Sequence, residues 1–285
     1  MAVNLFDATT RPWLPPRLER KFYIAPHKVE TAYGLLRVLC RPDLVYPAEQ
    51  INSLYFDTDS FDQYERSLAG DFVKNKVRLR WYGTDAELNM MQPVFVELKS
   101  RKGFAGTKQR LEMRVPVEKL LPAYIHEGII SKTLLCNTLA WFGHFPLEPL
   151  YPIIKISYWR YRFREVLTGI SVALDCHVRS TMIAANAGNG ERELELPGTI
   201  LEIKGRSMEI PSSLKQFKLL GIDWGRFSKY SACIDSHSER LGTVGRLSPS
   251  GLNIDEILAT LHRQSTTYRK GLSVDSDSRE RLVRN

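Results

Sequence analysis

The stretch Lys76-Val-Arg-Leu-Arg-Trp-Tyr82 alternates basic and apolar side chains residue by residue. Successive side chains on a β-strand point to opposite faces, so Lys76, Arg78 and Arg80 share one face and the apolar residues share the other. This pattern predicts a strand with one cationic side. Taken alone, the pattern fits two alternatives equally well. Either the cationic side forms a functional surface, or it simply faces solvent as in an ordinary half-buried strand.

The same alternation recurs along the chain, with carboxylates among the cations. Carboxylates and lysines stand two residues apart in three predicted strands, at Glu19 and Lys21, Glu97 and Lys99, and Glu202 and Lys204. Basic residues also alternate in two further stretches, 108–114 and 160–164. One cationic face is common, but a series of them predicts an interior lined with charge.

The hydrophobic periodicity gives about eight strands in hairpin-like succession, with helices predicted near 26–39, 117–143, 212–220 and 226–234. Such strands can form either an open sheet whose charged face is exposed to solvent or a closed barrel whose charged side chains point into the interior. A platform for single-stranded nucleic acid would place aromatic residues among the cations, whereas Trp81 and Tyr161 lie opposite Arg80 and Arg160. We therefore expect an α+β fold, an eight-stranded antiparallel β-barrel with helices packed outside.

The chain divides into three predicted parts. Residues 1–16 hold three prolines and form an N-terminal arm, residues 17–235 form the barrel domain, and residues 236–285 are a mostly disordered tail rich in Ser, Arg, Asp and Gly. No apolar run approaches the roughly 18 residues that span a bilayer, and the start lacks a signal peptide. These features predict a cytoplasmic protein without a transmembrane segment.

Composition narrows the partners. The 285 residues contain 40 Lys+Arg and 32 Asp+Glu, a formal charge of +8 that favours nucleic acid, acidic lipid or polyphosphate. The four cysteines form no CxxC pair, which excludes a typical zinc site and indicates reduced thiols. No nucleic-acid motif is present, so nucleic acid is not the expected partner.

A charged interior needs counter-charges. Like charges about 4 Å apart repel by about 4 kcal/mol at an effective dielectric constant near 20, so a bound polyanion or interleaved carboxylates must offset them. Arginine suits phosphate because its planar fork binds two oxygens. A carboxylate beside a phosphate chain is a hard-oxygen site for Mg²⁺ or Mn²⁺. The alternative for these glutamates is an ion pair with Lys99 or Lys204.

At five stretches the sequence resembles the VTC catalytic domain of inorganic polyphosphate polymerases, in the triphosphate tunnel metalloenzyme superfamily that includes CYTH phosphatases. The matching stretches are 53–62, 77–83, 95–99, 200–204 and 226–230. The resemblance implies a tunnel in which the terminal phosphate of ATP is transferred to a growing inorganic polyphosphate chain, with Mn²⁺ or Mg²⁺ as cofactor.

The resemblance also assigns residues. The phosphate-binding cations of the family correspond to Lys21, Arg78, Arg80, Lys99, Arg160, Lys204 and Lys229. Glu202 corresponds to the metal-binding carboxylate, and either Lys108 or Arg110 falls where the family has a further basic residue. We add Lys76, Glu19, Lys108, Arg110 and Glu97 as candidate substrate-binding residues on the same strand faces. Arg78, Arg80, Lys99 and Arg160 are expected to hold the triphosphate, and Lys21, Lys204 and Lys229 the acceptor or product chain.

Three departures from the family pattern keep alternatives open. Arg17 replaces the first carboxylate of the Glu-x-Glu-x-Lys start of the CYTH relatives, and Ser171 stands where a tunnel arginine is expected. The sensing domain and membrane segment of the fungal enzymes have no counterpart, which predicts a stand-alone soluble version. The rival functions are hydrolysis of tripolyphosphate or a nucleoside triphosphate, and polyphosphate binding without turnover. Nucleic-acid binding ranks third.

Overall fold

The computed structural model describes residues 18–237 except 84–89, 104, 184–192, 208, 223 and 226. The predicted arm and the tail beyond His237 lie outside the described residues. No helix within the described part of the chain is long and apolar enough to cross a membrane.

The described residues form strands and short helices. The strands are β1 Leu18–Ile24, β2 Cys40–Pro42, β3 Ala48–Asp57, β4 Val73–Tyr82, β5 Met91–Lys102, β6 Ala105–Pro116, β7 Tyr151–Glu165, β8 Ser171–Met182, β9 Leu194–Glu195, β10 Thr199–Gly205 and β11 Trp224–Gly225. The α-helices are α1 Val29–Leu39, α2 Asp62–Ala69, α3 Pro122–Ile125, α4 Lys132–Trp141 and α5 Lys229–His237. Short 3₁₀ helices cover Pro26–Lys28, Val117–Leu120 and Ser213–Leu220.

All strands join one antiparallel sheet in the order β11-β1-β10-β8-β7-β3-β4-β5-β6, with β2 paired to β7 and β9 paired to β8. The expected antiparallel sheet with helices is confirmed. The closed eight-stranded barrel is wrong, because the sheet has eleven strands and its hydrogen-bonded order ends at β11 and β6 among the described residues. Three strands are only two or three residues long, too short for periodicity to reveal.

The sheet nevertheless curls until side chains from distant strands meet. Lys99 on β5 lies 3.1 Å from Glu19 on β1, although five strands separate β5 and β1 in the sheet order. The face that carries these two residues is the concave face of the sheet. Strands β1 and β5, which lie in different halves of the sheet order, therefore meet through side-chain contacts and not through backbone hydrogen bonds.

The opposite, convex face forms the apolar core. Tyr161 and neighbouring strand residues pack with Leu36 of α1 in one cluster, while Leu79 and Trp81 pack with Leu139 of α4 in another. Burying such aliphatic and aromatic side chains contributes about 1.5–3 kcal/mol each and so fixes which face turns inward. The predicted placement of helices outside the sheet is thus correct for α1 and α4.

Helix α5 departs from that prediction. Its Tyr230 ring stacks 4.9 Å from the Tyr55 ring, and Ile234 joins a cluster with Ile200 of β10. Ile200 and Tyr55 lie on the concave face, two residues along the strand from Glu202 and Ser53. Helix α5 therefore covers part of the concave face instead of the outer one.

Candidate active site

Register places the charged side chains beside one another on the concave face. Arg78 on β4 pairs across the sheet with Tyr55 on β3 and Glu97 on β5, and Glu97 pairs in turn with Arg110 on β6. On the same face, in the other half of the strand order, Lys21 is opposite Glu202, and Arg160 is opposite Asp175. Among the described residues the concave face thus carries more cations than carboxylates, and its cations include Lys21, Lys76, Arg78, Arg80, Lys99, Lys108, Arg110, Arg160, Lys204 and Lys229.

Glu97 organises the first charge cluster. Its carboxylate is fully buried and accepts from Arg78 Nε at 2.9 Å and Nη2 at 2.7 Å. Lys108 Nζ lies at 2.6 Å and Arg110 Nε at 3.3 Å from the other carboxylate oxygen. Burial alone would raise the pKa of Glu97, but Arg78, Arg80 and Lys108 hold it at about 2.

Glu202 and Asp175 organise the second cluster. Arg160 lies 2.8 Å from Glu202 and donates from Nε and Nη2 to Asp175 at 2.6 and 2.7 Å. Lys229 contacts both carboxylates, and Lys204 and Lys21 lie 3.4 and 3.7 Å from Glu202. Burial opposes ionisation of Glu202, yet Arg160 and the lysines hold its pKa well below the usual range.

Glu19 joins three strands across the concave face. Its carboxylate lies 3.1 Å from Lys99, 3.2 Å from Lys204 and 3.7 Å from Lys21. Burial would raise the pKa of Glu19, but these lysines lower it. The ion-pair alternative therefore describes Glu19 and Glu202, whereas Glu97 pairs with Arg78 and not with Lys99.

Lys76 and Arg80 have no carboxylate in direct contact in the described part of the chain. Within the described residues no carboxylate lies within 4.0 Å of either cation, and their polar partners are hydroxyls. Lys76 Nζ is 2.7 Å from Ser228 Oγ, and Arg80 is 3.2 Å from Ser53 Oγ. Burial and then repulsion by Lys21 and Lys99 lower the pKa of Lys76 to about 7. Burial and Lys21 also lower the pKa of Lys99 to about 8. A bound anion would relieve this repulsion.

The structure brings every candidate residue named from the sequence to this one face, while their individual roles stay predictions. Sequence reasoning missed Asp175 as a site residue and missed three aromatic residues on the concave face, Tyr55, Tyr82 and Tyr158. Asp175 carried a signal, since it is the one acid in a stretch of apolar residues, 170–178. Trp81 and Tyr161 do pack on the convex face as expected.

The described carboxylates of the concave face are not clustered as they are in a site that binds a metal ion through protein ligands alone. The described residues contain no group of three or more His, Cys, Asp or Glu side chains that could hold a metal ion. Glu202, the predicted metal ligand, is surrounded by cations instead. Mg²⁺ in phosphate-handling proteins is commonly bound by one or two carboxylates together with phosphate oxygens. The donor set fits an ion that binds together with phosphate.

Fold and site define a protein with a curled antiparallel sheet and a cation-rich concave face. The model of the family described as the VTC domain matches residues 16–237, and the chain belongs to this family.

Relatives are distant. The Vacuolar transporter chaperone complex subunit 4 of Schizosaccharomyces pombe is 31% identical over 126 residues, which cover 43% of this chain and only 16% of that protein. A candidate adenylate cyclase of Bacillus halodurans shares 17% identity at a TM-score of 0.43, covering 75% of this chain and 94% of that chain. A candidate adenylate cyclase of Vibrio parahaemolyticus shares 10% identity at a TM-score of 0.40, covering 78% and 99%.

Proposed function

We propose that the chain is a polyphosphate polymerase, which transfers the terminal phosphate of ATP to a growing inorganic polyphosphate chain in a metal-dependent reaction. Membership of the VTC domain family supports this proposal. The observation that carries it is the crowding of cations around Lys76, which has no carboxylate in direct contact among the described residues and is repelled by Lys21, Lys99 and Arg78, since cations that repel one another favour a multiply charged anion as their partner.

The chemistry asks for position and charge and not for a covalent nucleophile. A terminal oxygen of the acceptor chain forms a bond to the γ-phosphorus, the bond from that phosphorus to the β–γ bridging oxygen breaks, and ADP leaves. Arg78, Arg80, Lys99 and Arg160 hold the triphosphate. Fixed cations stabilise the charge that gathers on the transferred group, because they need no reorganisation during the reaction.

The acceptor is held by the lysines of the second cluster. Lys21, Lys204 and Lys229 all lie within 3.7 Å of Glu202, so Glu202 fixes their positions. An extended phosphate chain would bring negative charge along this row. Candidate substrate contacts beside these two sets are Lys76 and Lys108, with Arg110, Glu19 and Glu97 as their neighbours.

A divalent ion, Mn²⁺ or Mg²⁺, would bind to Glu202 together with phosphate oxygens and would neutralise charge on the phosphates. Glu202→Gln should then abolish metal-dependent turnover of ATP, whereas Glu118→Gln, an exposed substitution in a 3₁₀ helix, should leave it unchanged. Unaltered metal dependence in Glu202→Gln would show that the metal assignment is wrong.

The second candidate is a polyphosphate-binding protein without turnover. Ser171 favours it, because register places this hydroxyl opposite Lys204 and Arg164, at the position where the family resemblance leads one to expect a cation. Loss of one fixed positive charge would slow transfer more than it would weaken binding.

Incubation of the purified full chain with ATP and Mn²⁺, followed by sizing of the phosphate products, tests the proposal. A polymerase gives long phosphate polymer. Orthophosphate as the sole product indicates a hydrolase that uses water as acceptor, and tight polyphosphate binding without any product indicates the binding protein.

A further inference from the structure

Two aromatic rings and one guanidinium lie together at the end of the cation row on β4. Tyr82 follows Lys76, Arg78 and Arg80 on the same face of that strand. The ring centres of Tyr82 and Phe95 are 5.8 Å apart, at an interplanar angle of 66°. We call Tyr82, Phe95 and Arg110 the aromatic platform.

Arg110 is held flat within the platform. Its guanidinium carbon lies 3.4 Å from the ring centre of Phe95 and 5.6 Å from that of Tyr82, and Nη2 donates to the Tyr82 hydroxyl at 2.8 Å. Its Nε is 3.3 Å from Glu97, the centre of the first charge cluster. Arg110 therefore links the platform directly to the residues proposed to hold phosphate.

The platform lies at the margin of the apolar cluster on the concave face, against which Tyr82 packs, and it stays partly exposed. Tyr82 and Phe95 are half-buried, and the Arg110 side chain stays 34% exposed. Phe95 is the cross-strand partner of Arg80, the buried arginine without a carboxylate. A partly exposed planar surface thus adjoins Arg80, one of the residues proposed to hold the triphosphate, and Tyr82 lies one two-residue strand step, roughly 7 Å, beyond Arg80.

From this arrangement we infer that the aromatic platform binds the base of a nucleoside triphosphate. This inference rests on the proposed function, because the nucleoside triphosphate is the phosphate donor of the proposed polymerase. Nucleobases stack on aromatic rings and on arginine planes in other proteins. A guanidinium held flat on a ring offers such a plane, and the neighbouring Arg78 and Arg80 receive the phosphates of the same molecule. Because stacking uses the face of the base, the platform distinguishes a nucleotide from inorganic tripolyphosphate.

Calorimetric titration of the full chain with ATP and, separately, with inorganic tripolyphosphate tests the inference. Phe95→Leu removes the ring and keeps most of the apolar volume, and Arg110→Lys keeps the charge and removes the plane. We expect each substitution to weaken ATP binding by about fivefold or more, with a smaller change for tripolyphosphate. Phe145→Leu, which alters an exposed ring after α4, is the matched control and should change neither affinity.

The outcomes separate this inference from the proposed function. Equal losses for ATP and tripolyphosphate in Phe95→Leu, or unchanged ATP affinity in both variants, would overturn the base subsite while the phosphate site remains. A wild-type protein that binds neither ligand would overturn the proposed function itself.

Discussion

Arg80 is the residue on which the phosphate site depends most. It is buried, its hydrogen-bond partners are the hydroxyls of Ser53 and Tyr158, and no carboxylate among the described residues lies within 4.0 Å of it. Arg80→Gln should lower the rate of polymer formation by about 10²–10³, the usual effect of losing one preorganised charge in a transition state. Initial rates with ATP and Mn²⁺ measure this effect.

Arg66→Gln is the matched control for Arg80→Gln. Arg66 forms an exposed ion pair with Asp62 on α2, where such pairs contribute little to stability, so its loss should leave the rate unchanged. Equal rates for Arg80→Gln and Arg66→Gln would contradict the role of Arg80.

Lys76 makes phosphate binding depend on pH. Its pKa in the free protein is about 7, below the ordinary value of 10.5, and a bound anion raises it. Well below pH 7 Lys76 already carries its proton, so Lys76 adds little to the pH dependence of tripolyphosphate binding there. Above pH 7 binding must take up a proton, and the association constant should fall by up to about tenfold per pH unit. Calorimetric titrations between pH 6 and 9 measure the trend.

Lys76→Arg provides the control for this trend, since arginine stays protonated across the range. The variant should show a shallower decline, with the remainder due to Lys99 and Lys108, whose pKa values are each about 8. A constant affinity for tripolyphosphate between pH 7 and 9 in the wild-type protein would contradict this role of Lys76.

At the scale of residues, the sequence predicted the cations well because they repeat at every second position. It did not predict which side chains face one another across strands. The pairing of Arg160 with Asp175 and of Arg80 with Phe95 depends on the register between two strands, which the sequence of one strand does not specify.

The turn that leads into β10 shows how one element positions the site. Gly198 has φ +78°, and a Cβ there would lie 2.2 Å from the carbonyl oxygen of Ile24, at the end of β1. Gly198→Ala should destabilise the protein by about 1–3 kcal/mol and weaken the β1–β10 pairing that sets Lys21 opposite Glu202. Chemical denaturation measures the free energy of unfolding.

Gly34→Ala is the matched control, because Gly34 lies inside α1 and a methyl group added there would have no neighbouring atom within 4 Å. Alanine there should raise the free energy of unfolding by about 0.5–1 kcal/mol, the difference in helix propensity. Similar effects at both positions would contradict the close approach at Gly198.

At the scale of elements, the long strands, α1 and the existence of α5 follow from periodicity, whereas the position of α5 does not. The stretch 229–237 has an ordinary amphipathic pattern, so it predicts a helix on the outer surface. Its placement on the concave face depends on contacts from distant parts of the chain, such as Tyr230 with Asp57 at 2.5 Å and Lys229 with Glu202 at 3.2 Å. A helix pattern alone does not specify these partners.

At the scale of the whole molecule, the sequence predicted that charged strand faces would turn toward a common interior. That expectation is met by the contact between Glu19 and Lys99 across the curled sheet. Closure of the sheet was not predictable, because it depends on whether backbone groups at β6 and β11 come within hydrogen-bonding range. Side-chain alternation carries no information about that distance.

The central claim is that the concave face binds a linear chain of phosphates. Calorimetric titration with orthophosphate, tripolyphosphate and long-chain polyphosphate at constant ionic strength tests it most directly. The affinity of the wild-type protein should rise with chain length, and Arg78→Gln/Arg80→Gln should lose that rise. Equal affinity for all three anions, or an undiminished rise in the double variant, would contradict it.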